Sequence, residues 1–202
     1  MESPVASRRA EVKRVTSETS IELKLDLDGT GHNRIQTPVG FLSHMLEAFS
    51  KHGAVDLDVI ADGDVHIDYH HTVEDVALVL GQAVNESLGD KRGIRRFGSS
   101  YAPMDESLAR SVIDFSGRPF IVFEAPIDRE MLLIHRDFPF ALVEEFFKAF
   151  VSTARCNLHV DLLRGRNGHH AAEAIFKSAA LALRAAKERT TLDAIPSTKG
   201  VL

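Results

Sequence analysis

Tryptophan is absent from this chain of 202 residues, and cysteine occurs once, at position 156. A lone thiol has no partner for an intrachain disulfide, which excludes a disulfide-stapled secreted scaffold and suits a reducing cytosol. Cys156 lies in Arg155-Cys156-Asn157-Leu158-His159-Val160, a strand-like run in which a thiol is expected to be buried and inert. Long apolar runs are also missing. The most apolar helical stretch, Ala171 to Ala186, is broken by Glu173, Lys177 and Arg184, so it cannot span a bilayer. Met1 to Arg14 is charged and polar without the apolar segment of a signal peptide. A net charge of −5 offers no general attraction to nucleic acid, although local basic patches can still hold phosphate. The expectation is a cytoplasmic protein with no membrane and no nucleic-acid partner, its first ten or so residues loosely ordered.

What the chain does have is an ordinary globular balance, 44% hydrophobic and 26% charged, together with ten histidines. That length suits one domain or two small fused halves. Four of the histidines form a repeated motif. Asp68-Tyr69-His70-His71-Thr72-Val73-Glu74-Asp75 is echoed roughly a hundred residues later by Gly168-His169-His170-Ala171-Ala172-Glu173. Both copies read His-His-x-x-Glu, and both open a run with helical spacing: Val76, Val79, Leu80, Val84 and Ile175, Phe176, Ala179, Leu183. Upstream, Phe41 to Phe49 matches Leu142 to Phe150, which sets His44 over Glu145. The chain reads as a duplicated unit with its chemistry at the same place in each copy.

Neighbours on a helix point about 100° apart, so His70 and His71 do not converge on one ion. His70 and Glu74, or His71 and Glu74, share a face. Two adjacent histidines therefore suggest two metal ions, or one ion and a different partner. A solvated helix start explains a single copy as simply; two copies at matched positions, each preceded by a helical His or Glu, favour metal.

Taken in order, the alternation of Ile21, Leu23, Leu25 and Leu27 predicts a half-buried strand. Asp28-Gly29-Thr30-Gly31 predicts a hairpin turn into a second strand, His32 to Thr37. A helix follows from Phe41 to His52, ended by Gly53. Strands through Val55–Val59 and Val65–Ile67 lead into the helix at His70. The first half, residues 1–90, is thus expected as β-β-α-β-β-α. Lys91-Arg92-Gly93-Ile94-Arg95-Arg96-Phe97-Gly98 is a basic joint. The second half, residues 91–202, predicts strands at 99–104, 108–115 and 119–124, and a loop or irregular strand at 128–136. A helix over 138–153, a strand over 155–163, a helix over 169–189 and a short polar tail complete it. The expected class is α+β, with sheets carrying helices on one face. His66 and His159 fall on alternating strands and read with His52 as packing residues near the motifs; His32 and His135 carry no motif.

Seven ordered blocks now bear a resemblance: Ser43-His44-Met45-Leu46, Asp68 to Asp75, Gly89 to Phe97, Pro103-Met104-Asp105-Glu106, Ser116-Gly117-Arg118-Pro119, His169-His170-x-x-Glu173 and Pro196-Ser197-Thr198-Lys199-Gly200. Together they resemble the imidazoleglycerol-phosphate dehydratase family of histidine biosynthesis, over nearly the whole chain. The resemblance implies two manganese ions (Mn2+) per active site. Their ligands would be His44, His70, His71, Glu74, His169, His170 and Glu173, with Glu145 where many members of the family place histidine. Candidate catalytic residues are Glu18, Glu74, Glu173, His70 and His71. Glu18 is also expected to touch substrate, and Arg95, Arg96, Arg118, Ser197 and Lys199 to bind its phosphate, since guanidinium forks match phosphate oxygens. The family builds its sites between the chains of a homo-oligomer of twenty-four subunits.

The implied reaction is the dehydration of D-erythro-imidazoleglycerol phosphate to imidazole-acetol phosphate. A ring held through its nitrogens by two cations ionises to imidazolate, which expels the neighbouring hydroxyl. A base then takes the proton from the next carbon, and the enol becomes a ketone. Two other classes fit paired His/carboxylate motifs: a dinuclear phosphohydrolase and a non-enzymatic metal-binding oligomer.

Overall fold

The structure, a computed structural model, describes residues 7–127, 132–135 and 138–202. The first half contains β1 (Arg9–Val15), β2 (Thr19–Asp26), β3 (Asn33–Gln36), α1 (Gly40–Gly53), β4 (Asp56–Gly63) and α2 (His70–Leu88). The second contains β5 (Phe97–Met104), β6 (Ser107–Asp114), β7 (Phe120–Glu124), the short pair β8 (Leu133–His135) and β9 (Phe138–Pro139), α3 (Ala141–Ala154), β10 (Asn157–Arg164) and α4 (Gly168–Ala186). The class is mixed α+β with two similar halves, as the repeat predicts.

Each half makes a four-stranded sheet, ordered β1-β2-β4-β3 and β5-β6-β10-β7. Alternation decides which face is inward. In β2, Thr19, Ile21, Leu23 and Leu25 are buried while Ser20, Glu22 and Lys24 are exposed. The four helices lie between the two sheets, α1 packing on α4 and α2 on α3. That position explains why α2 and α4 are buried on most sides, from Val73 to Leu88 and from Ala171 to Ala186. The core is accordingly continuous across both halves, from Ile21 and Leu46 to Phe147 and Phe176.

Pairing departs from the sequence reading in the first half, and the second half repeats the observed pattern. The predicted hairpin of β2 with β3 does not form: β2 pairs antiparallel with β4, and β3 pairs parallel with β4. Asp56, at the start of β4, draws the connecting loop onto itself, its Oδ1 accepting the N–H groups of Thr30, Gly31 and His32 at 2.8 to 3.1 Å. Likewise β7 runs parallel to β10 instead of pairing with β6. Of the first ten residues, expected to be loosely ordered, 1–6 lie outside the described residues, while Arg9 and Ala10 belong to β1, which pairs along β2 from Arg9 opposite Asp26 to Val15 opposite Ser20. Residues 65–67 form a turn, not a strand, and Gly53 belongs to α1, with Ala54 taking the left-handed conformation at its end. The helix expected from Phe138 begins at Ala141, after β9. Of the irregular segment 128–136, only 132–135 are among the described residues, and Leu133–His135 there is β8.

The helix pairs approach closely through small residues. A Cβ on Gly81 of α2 would stand 2.3 Å from the Phe150 carbonyl oxygen and 2.9 Å from the Ala154 nitrogen of α3. In the other pair the roles reverse, Gly53 of α1 facing Ala180 of α4. No helix among the described residues is long and apolar enough to cross a membrane. Cys156 is fully buried, and burial, aided by the charge of Asp114, pushes its thiol up to about 12.

Candidate metal centre and active site

Helix α4 begins at a polar cap, Asn167, whose Oδ1 accepts the N–H of His169 at 2.9 Å and of His170 at 3.3 Å. The N-cap of α2 is Tyr69, which makes no such bond; Asp68 Oδ1, one residue earlier, accepts the N–H of His70 at 2.8 Å. These bonds hold the motif histidines on the first turn. In each motif the two rings stand at 88° with centroids 6.1 Å apart. Adjacent histidines therefore address different partners, as the helical spacing predicts.

One cluster joins the two halves. His44 of α1 meets His169 and Glu173 of α4, with His44 Nε2 at 3.6 Å and His169 Nε2 at 3.4 Å from Glu173 Oε2. The ligand atoms of the three lie within 4.8 Å of one another. Bonds of about 2.0–2.2 Å to one cation would set such atoms about 3–3.5 Å apart, so two imidazoles and a carboxylate here fit a divalent ion. Lys177 Nζ donates to the other oxygen, Glu173 Oε1, at 2.6 Å. Burial raises the Glu173 carboxyl, but Lys177, His44 and His169 outweigh it and hold it below the usual value. Beside this cluster Phe41, Tyr69, Ile134 and Phe138 line a cavity of about 370 Å³ that reaches His44 and His169.

A second cluster collects Glu18, from the turn before β2, with Asp64 and His71. His71 Nδ1 is 2.9 Å from Asp64 Oδ2 and 3.8 Å from Glu18 Oε2. The Asp64 hydrogen bond raises His71 above the usual imidazole value, with Glu18 adding to it. Asp64 Oδ1 is buried without a hydrogen-bond partner, an unsatisfied carboxylate oxygen at the site. The other half repeats the theme with different residues: His170 Nδ1 is 2.8 Å from Glu106 Oε2, and its Nε2 is 3.8 Å from Asp105. That bond, with the N–H groups of Arg166 and Asn167, lowers Glu106 to about 2.

The remaining motif pair is less complete. His70 Nε2 lies 3.6 Å from Glu74 Oε2, with the side chains 43% and 44% exposed. Among the described residues no third His, Cys, Asp or Glu closes on this pair. Glu145 instead holds Lys148 Nζ at 3.0 Å, beside Glu144 at 2.9 Å.

The basic residues fall around the C-terminal tail. Arg96 spans Asp114 at 2.7 Å and the Pro196 carbonyl at 2.7 Å, so its guanidinium anchors the tail. Gly117 adjoins Leu202, the end of the tail that carries Ser197 and Lys199. Arg95 is exposed and pairs with Glu188 at 3.2 Å. Sequence reasoning gave no role to Asp64, Asp105, Glu106 or Lys177. Asp105 and Glu106 stand in a block it singled out, whereas Asp64 gave no signal beyond its place between β4 and the first motif.

Comparison with known proteins gives one consistent answer. Residues 37–183 match the family model described as imidazoleglycerol-phosphate dehydratase. The chain is 51% identical over 207 residues to the protein of that name from Albidiferax ferrireducens, covering all of both. It is 56% identical over 198 residues to the one from Acidiphilium cryptum, covering 97% of this chain and all of the relative. Among solved structures, that of imidazoleglycerol-phosphate dehydratase from Staphylococcus aureus aligns with a TM-score of 0.80 at 41% identity, over 90% of this chain and 99% of that one. The structure from Pyrococcus furiosus aligns at 0.81 and 32%, over 95% and 100%.

Proposed function

Because the chain belongs to the imidazoleglycerol-phosphate dehydratase family, we propose that its repeated motifs hold two Mn2+ ions per site for the dehydration of D-erythro-imidazoleglycerol phosphate to imidazole-acetol phosphate. The chain is a hydro-lyase of histidine biosynthesis acting on a small molecule. The observation that carries the metal reading is the convergence of His44, His169 and Glu173 from opposite halves. His70 and Glu74 are the corresponding pair of the other repeat, with Glu145 at the position of His44. His71 and His170 turn away from their neighbours. Ions held by these rings would be distinct from those of His70 and His169, which favours sites completed between chains of a homo-oligomer, twenty-four in this reading.

When bound, the cations would draw charge from the imidazole ring of the substrate and favour loss of its neighbouring hydroxyl. The chain supplies the rest. Glu18 would contact the substrate hydroxyls or move the proton of the adjacent carbon, a role that its proximity to His71 supports. Arg95, Arg96, Arg118, Ser197 and Lys199 would receive the phosphate, Arg96 also donating to the Pro196 carbonyl of the tail. Residues 1–90 and 91–202 are then half-repeats of one catalytic domain, a division supported by the matched element order.

Incubating the manganese-loaded protein with imidazoleglycerol phosphate tests the reading. Appearance of the ketone supports it. Release of inorganic phosphate without ketone would make the protein a hydrolase, and no turnover at all would leave only metal binding.

A further inference from the structure

Glu18 stands at the tip of a hairpin. Thr16-Ser17-Glu18 joins β1 to β2, the last strand pair being Val15 with Ser20. Residues at exposed loop tips are ordinarily mobile. Here the backbone on either side of Glu18 is fixed. Thr16 Oγ1 accepts the N–H groups of Glu18 at 3.1 Å and Thr19 at 3.0 Å, and the Glu18 carbonyl accepts the N–H of Asp64 at 3.1 Å. The hairpin is also tied from behind. Thr19 Oγ1 donates to Asp75 Oδ2 at 2.5 Å, and Arg14 Nε donates to Asp75 Oδ1 at 2.9 Å. Asp75 of α2 thus grips both strands, β1 through Arg14 and the start of β2 through Thr19.

Asp75 directly follows the motif residue Glu74, so the two side chains leave the helix about 100° apart. Asp75 points into the chain and is buried at 7% exposure. A buried carboxylate destabilises a fold unless donors meet it, and both of its oxygens find them in the hairpin. Packing alone does not call for this group. Helix α4 lies on β5 and β6 as α2 lies on β1 and β2, yet the residue after Glu173 is Ala174, also buried. What Asp75 adds to the first half is a fixed seat for the loop whose Glu18 Oε2 lies 3.8 Å from His71 Nδ1.

We infer that Asp75 is a positioning residue for Glu18: through Thr19 and Arg14 it locks the β1–β2 hairpin onto the motif helix and so sets where the Glu18 carboxylate meets the substrate. This rests on the role given to Glu18 above. A reacting group displaced by about 1 Å costs about 100-fold in rate, so the anchor acts on turnover and not on metal loading.

Kinetics of the manganese-loaded, full-length protein with imidazoleglycerol phosphate test this. Thr19→Val, which removes the hydroxyl and keeps the shape, should lower kcat by about 10-fold, and Asp75→Asn by about 10- to 100-fold. KM should change less than kcat, and the number and affinity of bound Mn2+ should not change. Thr19→Ser, which restores a hydroxyl, should recover most of the rate. In a Glu18→Gln background Thr19→Val should cost nothing more, because both substitutions remove one function. In the metal-free protein, hydrogen–deuterium exchange at residues 16–19 should quicken in Asp75→Asn. Full activity of Thr19→Val, an equal loss with and without Glu18, or unaltered exchange overturns the inference; a slow Glu18→Gln enzyme then leaves the role of Glu18 standing. A Glu18→Gln enzyme as fast as the unaltered one sinks that role and the inference with it. Should Asp75→Asn fail to fold, the Thr19 variants decide the point.

Discussion

A histidine ring offers a metal only the nitrogen that its other nitrogen's partner leaves free. Asp64 and Glu106 take Nδ1 of His71 and His170, at 2.9 and 2.8 Å, and so present Nε2 outward. The two carboxylates come from unmatched places, one after β4 and the other between β5 and β6. That is why the motif histidines were legible in the sequence and their supports were not. His169 with Glu173, and His70 with Glu74, follow from spacing along one helix; Asp64 and Glu106 arrive through chain folding. Glu145 illustrates the same boundary, since aligning the repeats sets it over His44, yet its side chain is drawn to Lys148. If Glu145 serves as the eighth ligand, Glu145→His should keep both ions and the assembly while shifting preference from manganese toward nickel or other nitrogen-seeking ions. Competition between Mn2+ and Ni2+ measures this. Unchanged preference, with metal released only by Glu144→Ala, would move the ligand one residue along α3.

Between the helices, α2 and α3 approach closely at Gly81. A methyl group there meets backbone atoms of Phe150 and Ala154 and the Thr153 hydroxyl, none of which is a yielding side-chain end. Gly81→Ala should therefore separate the helices and cost about 1–3 kcal/mol, more than the usual gain of alanine over glycine in a helix. Chemical denaturation would show it as a lower midpoint; a protein as stable as the original would mean that the helices can slide apart freely. The strands β2, β4, β6 and β10 are readable from alternation alone. Their partners are not, because Asp56 captures the loop at Gly31 and prevents the hairpin that the Asp28-Gly29 turn advertises. Helix ends escaped for a similar reason: glycine favours the left-handed end position, but Ala54 and Arg155 occupy it in α1 and α3.

For the whole molecule, the outer faces of both sheets mix charge with apolar surface. The first carries Lys13 with Glu22 and Glu11 with Lys24 beside exposed Val15 and Ile60. The second exposes Phe97 at 53%, Tyr101 at 57% and Phe120 at 61%. Apolar surface of this kind on one face suits burial against other chains. In the proposed assembly, ions bridging chains add their binding free energy to that of association. Removing manganese with a chelator should then lower the thermal midpoint and release smaller particles, as followed by light scattering. A metal-free particle of unchanged size and thermal stability would uncouple metal from assembly.

The crossed packing of the helices has an evolutionary reading. Because α1 rests on α4 and α2 on α3, each half covers the other's helices and neither is sealed alone. Two copies of one half would pack in this way as a homodimer, with Lys91–Arg96 at the place where the chain links them. In such an ancestor of the first half, His44 of one copy would face His70 and Glu74 of the other, giving two identical triads. Joined in one chain, the two places differ: Lys177 pairs with the glutamate of one motif, whereas Glu145, at the position of His44, holds Lys148 and does not close on His70 and Glu74.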